Sequence, residues 1–311
     1  MRVALLAGGT GGAKLAAGMQ EEIGGELTVI ANTADDVEVL GVHVSPDPDL
    51  IVYWLSGEID AERGWGIKED SFTVFERLAR LGAPDWFGLS DRDLAACLYR
   101  RQFLAEGGRQ TDAQAQIARA LGVEARVLPM SEARVRTKVL TAAGRRDLQE
   151  YLIVDGGAAE VRGVELEGIG EAEPTEEVLT AIADAEAIAI GPSNPVISIG
   201  PILAVPGMRE AIAASGAPVL AVSPYVAGKV VKGPTERFMA AVGRPSTAVG
   251  VASLYAGLID AMVVDEDDPD PPPAEIPTLA APTLMDSAAA RARLARIVLD
   301  YADELATAAS G

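Results

Sequence analysis

The sequence predicts an α/β protein whose main domain carries a smaller lobe rich in β-hairpins. Three observations support this prediction. The N-terminal residues have the order strand, glycine loop, helix and strand, and residues from about 130 to 170 suggest consecutive strands. Helices alternate with strands again from Thr175 onwards. Because 311 residues with 49% apolar content can form one large core, we expect a single domain over residues 1–311, with the lobe inserted in it.

The N-terminal unit predicts a parallel βαβ arrangement. A short apolar run, Val3 to Ala7, ends in the glycine segment Gly8-Gly9-Thr10-Gly11-Gly12. A helical stretch from Ala13 to Gln20 and a second apolar run from Leu27 to Ala31 follow it. Further helices are expected at Leu50 to Leu55, Ser71 to Leu81 and Asp112 to Leu121.

The predicted lobe depends on the alternation of apolar and polar residues. Strands are expected at Val135 to Thr141 and Leu148 to Val154, on either side of a turn, and at Val161 to Leu166. The α/β order then returns. The expected elements are a helix at Thr175 to Ala183, buried strands at Ala187 to Ile190 and Val219 to Val222, a solvated acidic loop at Asp265 to Pro273, and a helix at Ala288 to Ala306.

The composition argues against several classes of function. A net charge of −20 opposes binding to nucleic acid and to anionic membranes. The single cysteine, Cys97, cannot form an internal disulfide, and any histidine chemistry would have to use the single His43. No apolar run is long enough for a transmembrane helix and no signal peptide is recognised, so we expect a cytoplasmic protein. The acidic, lysine-poor balance is typical of a halophile, with a salt-rich cytoplasm.

The glycine segment and the following Lys14 predict a phosphate site. Glycines let backbone N–H groups approach a phosphate, and the N-terminus of the following helix adds partial positive charge. Lys14 supplies a point charge beside them. The segment matches neither a Walker A loop nor the dinucleotide pattern G-x-G-x-x-G, so a tight turn between strand and helix remains the alternative.

Two acidic segments predict a metal site or a general base. Asn32-Thr33-Ala34-Asp35-Asp36 follows the second strand, where open α/β sheets bind ligands, and its carboxylates suit Mg²⁺. In Ser45-Pro46-Asp47-Pro48-Asp49, two prolines stiffen a turn that presents two acids. Asp49 could take a proton from an attacking hydroxyl or accept a hydrogen bond from a ring N–H. Capping of turns and helices is the alternative for both segments, and we expect His43 to be structural.

Aromatic and polar loops predict the remaining contacts. Aromatic residues make up only 5% of the chain, yet they occur in Gly64-Trp65-Gly66-Ile67 and in the segment from Trp86 to Asp93, where a planar heterocycle could lie. Gly191-Pro192-Ser193-Asn194-Pro195 follows a buried strand and offers polar groups to a phosphate or a guanine edge. After Ser223-Pro224, Lys229 and Lys232 suggest an anion site in a chain with few lysines. Ordinary packing and turns are the alternatives for these loops.

Together these segments resemble one family, the 2-phospho-L-lactate transferases of coenzyme F420 biosynthesis. The matching pieces run from residue 1 to about residue 240 in the order that the family has, and their combination is specific although no single piece is. The pieces are GGTGGAKL, NTADD, SPDPD leading to VYWL, GWGI, SDRDLA, LPMS, GPSNPVISIGPIL, VSP and KGPTERFM.

The resemblance implies a Rossmann-like fold with a three-layer parallel sheet, a homodimer, and Mg²⁺ as cofactor. It implies a transferase that moves phospholactate from lactyl-2-diphospho-5'-guanosine to 7,8-didemethyl-8-hydroxy-5-deazariboflavin (Fo), giving F420-0 and GMP. The donor could also be the enolpyruvyl analogue of this guanosine diphosphate. Together with the residue analysis, it predicts Asp49 and Lys14 as catalytic residues, Asp49 as a deazaflavin contact, and Asp35, Asp36 and Asp47 as metal ligands. The other residues predicted to bind substrate are Gly9, Thr10, Gly11, Gly12, Asn32, Trp65, Gly88, Asp91, Arg92, Ser193, Asn194, Ser223 and Lys232.

Departures from the family pattern at Pro48, Ser90 and residues 225–227 leave the three-carbon acid of the donor open, and a 3-phosphoglyceryl unit is a further option.

Two other functions remain as alternatives. One is a non-enzymatic nucleotide-sugar-binding regulator of the related gluconeogenesis-factor family, against which the SNP loop and the GWG segment argue. The other is a dinucleotide-dependent oxidoreductase, against which the imperfect glycine pattern argues.

Overall fold

The computed structural model describes residues 1–270 and 275–310, and within them the strands form one large sheet and three small ones. The strands are β1 (Val3–Ala7), β2 (Leu27–Ala31), β3 (Val37–Val39), β4 (Val42–Val44), β5 (Arg126–Pro129), β6 (Arg136–Thr141), β7 (Gly144–Asp147), β8 (Gly163–Glu167), β9 (Ala187–Ile190), β10 (Val219–Val222), β11 (Tyr225–Val226), β12 (Lys229–Val230), β13 (Ala261–Asp265) and β14 (Thr278–Ala281).

Helices connect these strands, and among the described ones none has both the length and the apolar character needed to span a bilayer. They are α1 (Gly9–Ile23), α2 (Pro46–Leu55), α3 (Thr73–Arg80), α4 (Asp91–Ala105), α5 (Gln110–Ala120), α6 (Glu176–Ala183), α7 (Ile199–Ala204), α8 (Met208–Ala214), α9 (Thr235–Ala241), α10 (Ala248–Leu254) and α11 (Ala288–Ser310), with short 3₁₀ segments at Gly24–Glu26 and Ile169–Glu171 and a π-helical segment at Glu150–Val154.

The large sheet is fully parallel and has the order β14-β13-β10-β9-β1-β2-β5. From β1 the chain builds outward through β2 to β5, and it then returns to the other side of β1 with β9. The direction of winding therefore reverses between β1 and β9. The carboxyl ends of strands at such a reversal open a crevice, which is where open α/β sheets bind ligands.

Helices cover both faces of this sheet and create three layers. Side chains of β1 alternate between the two faces, as a strand requires. Leu5 belongs to a core cluster with residues of α1, α2, α5 and α11, whereas Leu6 belongs to a cluster with residues of α6, α7, α8 and α10. Because both faces are covered, β1 is apolar at every position. The predicted three-layer, Rossmann-like class is confirmed.

The segment where the sequence predicts hairpins forms an antiparallel three-stranded sheet with the order β7-β6-β8. The predicted strand at Leu148 to Val154 is wrong, because β7 precedes it and the chain is π-helical at Glu150–Val154. Packing of Tyr151 accounts for the difference. Its buried ring lies 6.0 Å from the ring of Phe238, and its hydroxyl donates to the carbonyl of Ala159 at 2.7 Å.

Three predicted boundaries also move. Helix α1 begins at Gly9, so the glycine segment forms its first turn instead of a separate loop. Helix α2 begins at Pro46, so the predicted acidic turn is helical; proline suits this position because its fixed φ matches a helix start. The predicted solvated loop from Asp265 begins with a buried residue that ends β13 and accepts hydrogen bonds from Thr283. Residues 271–273 of that predicted loop lie outside the described residues.

Candidate active site

A cavity of about 1100 Å³ opens at the carboxyl ends of β1 and β9. Small-molecule sites usually measure about 300–1,000 Å³, so this space is large enough for a nucleotide together with a second planar molecule. Most of the predicted site residues line it, and they come from segments far apart in the chain. They are Gly9, Thr10, Gly11, Lys14, Asp35, Asp47, Asp49, Trp65, Gly88, Ser193, Asn194, Ser223 and Lys232.

The glycines of α1 allow its first turn to pack directly against the loop after β9. A Cβ atom at Gly11 would lie 2.0 Å from the carbonyl oxygen of Pro192, and one at Gly12 would lie 2.5 Å from Ser193 Oγ. The N–H of Gly8 donates to Ser193 Oγ at 3.1 Å. Gly12 therefore packs behind the cavity wall, although the sequence predicts it as a ligand contact. N–H groups in the first turn have no acceptor within the helix and are suited to bind an anion.

Asn32 joins two of the predicted metal ligands, although it lies beneath the cavity wall instead of lining it. Its Nδ2 donates to Asp35 Oδ1 at 3.0 Å and to Asp47 Oδ2 at 2.9 Å. The other oxygen of Asp47 accepts a hydrogen bond from the N–H of Gly9 at 2.7 Å. One network therefore connects both carboxylates with the start of α1.

Burial makes negative charge unfavourable on both of these carboxylates. It raises the pKa of Asp47 to about 6, although hydrogen bonds from Asn32 and Gly9 oppose this rise. Burial and the charge of Asp47 raise the pKa of Asp35 well above its ordinary value. In the described part of the chain, no lysine or arginine forms an ion pair with either group. Two buried oxygen ligands without a counter-ion fit a hard divalent cation such as Mg²⁺.

Asp36 differs from these two acids because both of its oxygens already contact other side chains of the protein. Oδ2 contacts His43 Nε2 at 2.8 Å and accepts from Gln110 Nε2 at 2.9 Å, while Oδ1 accepts from Ser45 Oγ at 2.7 Å. Burial alone would lower the pKa of His43, but the hydrogen bond and charge of Asp36 raise it above its ordinary value. The geometry therefore favours Asp35 and Asp47 as direct ligands, with Asp36 behind them. The position of His43 agrees with its predicted structural role.

Asp49 forms a buried ion pair with Arg100, a residue of α4. Arg100 has no exposed side-chain surface, and it also donates to the carbonyl of His43 at 3.3 Å and to Gln114 Oε1 at 3.1 Å. The ion pair uses Oδ1 of Asp49. Among the described residues nothing bonds to Oδ2, although this atom is buried and Asp49 lines the cavity. One oxygen of Asp49 is therefore left to accept a hydrogen bond from a ligand.

Asp49, Asp93 and Cys97 place one potential metal-binding atom each within 4.8 Å of one another. The adjacent guanidinium of Arg100 argues against a cation there, because it already neutralises Asp49. Burial and the charge of Asp49 raise the pKa of Asp93 to about 7, and the hydroxyl of Tyr53 donates to Asp93 at 2.8 Å. Asp49 and Asp93 are therefore better suited to share a proton than to bind a metal.

Aromatic side chains form one wall of the cavity. The ring centroids of Trp65 and Phe72 lie 6.3 Å apart, and those of Trp86 and Phe87 lie 5.5 Å apart, both pairs in edge-to-face contact. Gly88 lies beside this wall, and a Cβ there would make an ordinary van der Waals contact, at 3.4 Å, with the ring of Trp65. A planar heterocycle fits against such a wall.

Asp91 and Arg92, which the sequence predicts as substrate-binding residues, do not line the cavity. Asp91 accepts hydrogen bonds from Ser71 Oγ at 2.5 Å and from the N–H of Val74 at 3.0 Å, so it caps the start of α3. The guanidinium of Arg92 lies 3.4 Å from Asp70. The charged groups of both residues therefore bond to residues 70–74, which adjoin the aromatic wall, instead of facing the cavity. These bonds stabilise that segment.

Several of the polar side chains that line the cavity already have partners in the protein. Lys14 Nζ donates to the carbonyl of Met285 at 2.8 Å, and burial lowers the pKa of Lys14. Asn194 Oδ1 accepts from two backbone N–H groups, so this side chain shapes its own loop. Lys232 Nζ lies 3.5 Å from the carbonyl oxygen of Gly64, so two loops meet across the cavity.

Arg100 is the main residue of the site that the sequence analysis missed. The spacing of Asp93, Cys97 and Arg100 at i, i+4 and i+7 places them on one face of a helix. Cysteine is usually buried, so an arginine on the same helix face as Cys97 could have been predicted to be buried as well.

Comparisons with known proteins agree with this architecture. The family model described as 2-phospho-L-lactate transferase CofD matches residues 3–299. The sequence is 40% identical to the phosphoenolpyruvate transferase of Streptomyces griseus, over 98% of this chain and 99% of that protein. It is also 40% identical to the 2-phospho-L-lactate transferase of Methanosarcina mazei, over 85% of this chain and 87% of that protein. A crystal structure of a UPF0052-family protein from Bacillus halodurans aligns with a TM-score of 0.64 and 18% identity, covering 96% of this chain and 98% of that one, which shows a shared fold alone.

Proposed function

The chain belongs to the 2-phospho-L-lactate transferase CofD family, and from this premise we propose that it transfers a phosphate-linked three-carbon acid from a guanosine diphosphate carrier to Fo. GMP is the second product. The names of the relatives divide between 2-phospho-L-lactate and phosphoenolpyruvate transferases. The proposed donor is therefore lactyl-2-diphospho-5'-guanosine, which gives F420-0, or the enolpyruvyl analogue.

The observation that carries this proposal is the pair of carboxylates that Asn32 holds beside the start of α1, within a cavity that has an aromatic wall. Phosphoryl transfer needs positioning and charge neutralisation more than covalent catalysis. Asp35 and Asp47 fit Mg²⁺, which when bound supplies charge neutralisation at the diphosphate. The first turn of α1 and Lys14 add positive potential at the same place.

In this mechanism Asp49 interacts with the acceptor, Fo. The terminal hydroxyl oxygen of the ribityl chain attacks the phosphorus nearest the three-carbon acid, and the bond from that phosphorus to the oxygen of GMP breaks. The free Oδ2 of Asp49 can hold the acceptor by a hydrogen bond or take the hydroxyl proton. Arg100 fixes the orientation of this carboxylate from behind.

A nucleotide-sugar-binding regulator is the alternative, and the fold alone would suit it. The likeness to the Bacillus halodurans protein concerns the fold, so it does not separate the two functions. The aromatic wall and the unpartnered oxygen of Asp49 favour an enzyme with a planar acceptor.

The testing experiment mixes purified protein, Fo, Mg²⁺ and either the lactyl or the enolpyruvyl guanosine diphosphate in high salt and follows the products by mass. A phosphodiester adduct of Fo together with GMP is the expected result, and the two rates identify the donor. If Fo binds but neither donor reacts, the donor assignment fails. Absence of Fo binding would favour the regulator instead.

A homodimer and a requirement for salt belong to the same proposal. The family resemblance supports the dimer, and sedimentation measures the mass directly. The net charge of −20 supports the salt requirement, because self-repulsion is least screened at low ionic strength. Unchanged activity after dialysis into low salt would remove the second proposal.

A further inference from the structure

Asp93 is a second acid that lines the cavity beside Asp49, and the transfer mechanism gives it no role. One carboxyl oxygen of each residue lies within 4.8 Å of the other. Oδ1 of Asp93 accepts a hydrogen bond from the buried hydroxyl of Tyr53 at 2.8 Å. In the described part of the chain this is the only hydrogen bond found for the Asp93 carboxyl group, so its Oδ2 is left for a ligand.

The two acids carry different charges because their neighbours differ. Asp49 has the guanidinium of Arg100 as its counter-ion, whereas none of the ion pairs among the described residues includes Asp93. A negative charge on Asp93 would also be repelled by the charge of Asp49. Burial and this repulsion raise the pKa of Asp93 to about 7. The proton of the pair therefore resides on Asp93, and Asp49 is the ionised partner.

The pair consequently presents one hydrogen-bond acceptor and one donor to the cavity. Oδ2 of Asp49 is buried without a partner among the described residues, and an ionised carboxylate can only accept. Tyr53 donates to Oδ1 of Asp93, which leaves the acid proton on Oδ2. The complementary ligand edge has an N–H next to a carbonyl oxygen. The pyrimidinedione ring of a deazaflavin has such an edge, and the aromatic wall of the same cavity suits the ring system.

We propose that Asp49 and Asp93 together bind the pyrimidinedione edge of Fo, with Asp49 accepting from the ring N–H and Asp93 donating to a carbonyl oxygen beside it. This inference rests on the proposed function, because it takes Fo from there. Tyr53 is a positioning residue that orients the Asp93 carboxyl group. The ribityl chain is attached to the same ring system, so holding this edge also positions the hydroxyl that attacks the donor.

The test measures the dissociation constant of Fo by its fluorescence for wild type and for Asp93→Asn at pH 5 and pH 8. Asparagine reproduces the neutral acid, because its oxygen accepts from Tyr53 and its amide donates to the carbonyl. The ratio of the wild-type constant to the variant constant should be about 1 at pH 5. It should rise to between about 3 and about 10 at pH 8, where ionised Asp93 has lost its proton and repels the carbonyl.

Asp93 is the group whose charge changes in this pH range among those that face it. The others are Asp49 and Tyr53 of α2, Cys97 and Arg100 of α4, and Asp70. Burial raises the pKa of Tyr53 and Cys97 well above the ordinary values, so both stay neutral. Burial opposes ionisation of Asp70, but its hydrogen bonds lower its pKa. Asp47 titrates in both proteins, so its effect cancels in the ratio.

A derivative of Fo methylated at the nitrogen between the two carbonyls tests which edge of the ring faces the acids. Wild type should bind it at least about tenfold more weakly than Fo, because the methyl group removes the donor to Asp49. Asp91→Asn is the matched control on the same helix, since Asp91 lies outside the cavity lining. Its affinity for Fo should equal that of wild type at both pH values.

Each result decides the inference. A ratio that does not change with pH overturns it, because a purely structural role of Asp93 gives that pattern, and so does equal binding of Fo and its methyl derivative. If Fo binds with the expected ratio but no donor reacts, the proposed function fails and the inference stands. Transfer to Fo with a constant ratio overturns the inference alone, and absence of Fo binding at both pH values overturns both.

Discussion

Arg100 and Asp49 form an ion pair that is almost completely withdrawn from solvent, with side-chain exposures of 0% and 5%. The two residues are 51 positions apart, at the beginning of α2 and in the middle of α4. A buried pair of this kind costs desolvation energy that it recovers only through good geometry, so it is weak evidence for stability by itself. Here it fixes a cavity-lining carboxylate whose second oxygen is buried and has no hydrogen-bond partner among the described residues.

The first prediction concerns Asp49→Asn. The variant keeps an acceptor for Arg100 but loses the charge and the basicity of the free oxygen, so kcat should fall by about 100- to 1000-fold. The buried guanidinium loses its counter-charge, so the melting temperature should also fall. Steady-state kinetics and thermal unfolding measure the two effects separately.

Asp91→Asn is the matched control for this first prediction. Asp91 accepts hydrogen bonds at the start of α3 and lies outside the cavity lining, so activity should stay near the wild-type level even though asparagine can accept at only one of the two oxygen positions. A loss of activity similar to that of Asp49→Asn would instead restore the sequence-based prediction that Asp91 contacts substrate.

The second prediction concerns Arg100→Met. Removing one partner of a buried pair leaves the other charge uncompensated, which costs about 3–5 kcal/mol of unfolding free energy. Urea denaturation measures this cost. Arg101→Met is the control, because Arg101 is exposed on the same helix, and it should change stability by less than about 0.5 kcal/mol. Equal effects at both positions would mean that the buried pair has no special role.

The third prediction concerns Gly11→Ala. A Cβ atom 2.0 Å from the carbonyl oxygen of Pro192 cannot be accommodated by side-chain rotation, so the start of α1 has to move. Such overpacking typically costs about 1–3 kcal/mol, and donor affinity should fall as well because the first-turn N–H groups move with the helix. Gly170→Ala is the control, since no atom lies within 4 Å of a Cβ built there and its φ is ordinary.

The fourth prediction is a pH dependence of stability that arises from Asp93. Its pKa is about 7 in the folded protein and 3.8 in the reference state, so the folded state binds more protons between these values. Stability should therefore decrease as the pH rises from about 4 to about 7, by at most about 4 kcal/mol from this group. Asp93→Asn removes the charge and keeps an acceptor for Tyr53, so the variant should gain most stability relative to wild type at pH 8 and least at pH 4. Urea titrations at both pH values measure the difference, and a gain that did not change with pH would contradict this explanation.

The sequence predicted the centre of the sheet better than the surroundings of the site. The predicted bounds of β1, β2, β9 and β10 agree with the structure, because these buried parallel strands are nearly continuous apolar runs that glycine, asparagine or serine follows. The spacing along α4 indicates a buried face at Arg100, but its pairing with Asp49 could not be predicted, because the two residues lie 51 positions apart. The predicted strand at Leu148 to Val154 was wrong for a related reason, since the packing of Tyr151 against Phe238 overrides local alternation.

The last prediction concerns the binding of Mg²⁺ by Asp35 and Asp47. Protons compete with the metal at Asp47, whose pKa of about 6 is set by burial, so Mg²⁺ should raise the melting temperature more at pH 8 than at pH 5. The sign follows because the ionised carboxylate, which predominates above pH 6, is the form that binds the cation. Asp47→Asn should abolish most of this shift, whereas Asp91→Asn should retain it because Asp91 lies outside the cavity lining. Thermal unfolding with and without Mg²⁺ at the two pH values provides the measurement. If the shift were equal in wild type and Asp47→Asn, the metal would bind elsewhere, and the carboxylates that Asn32 joins would need another function.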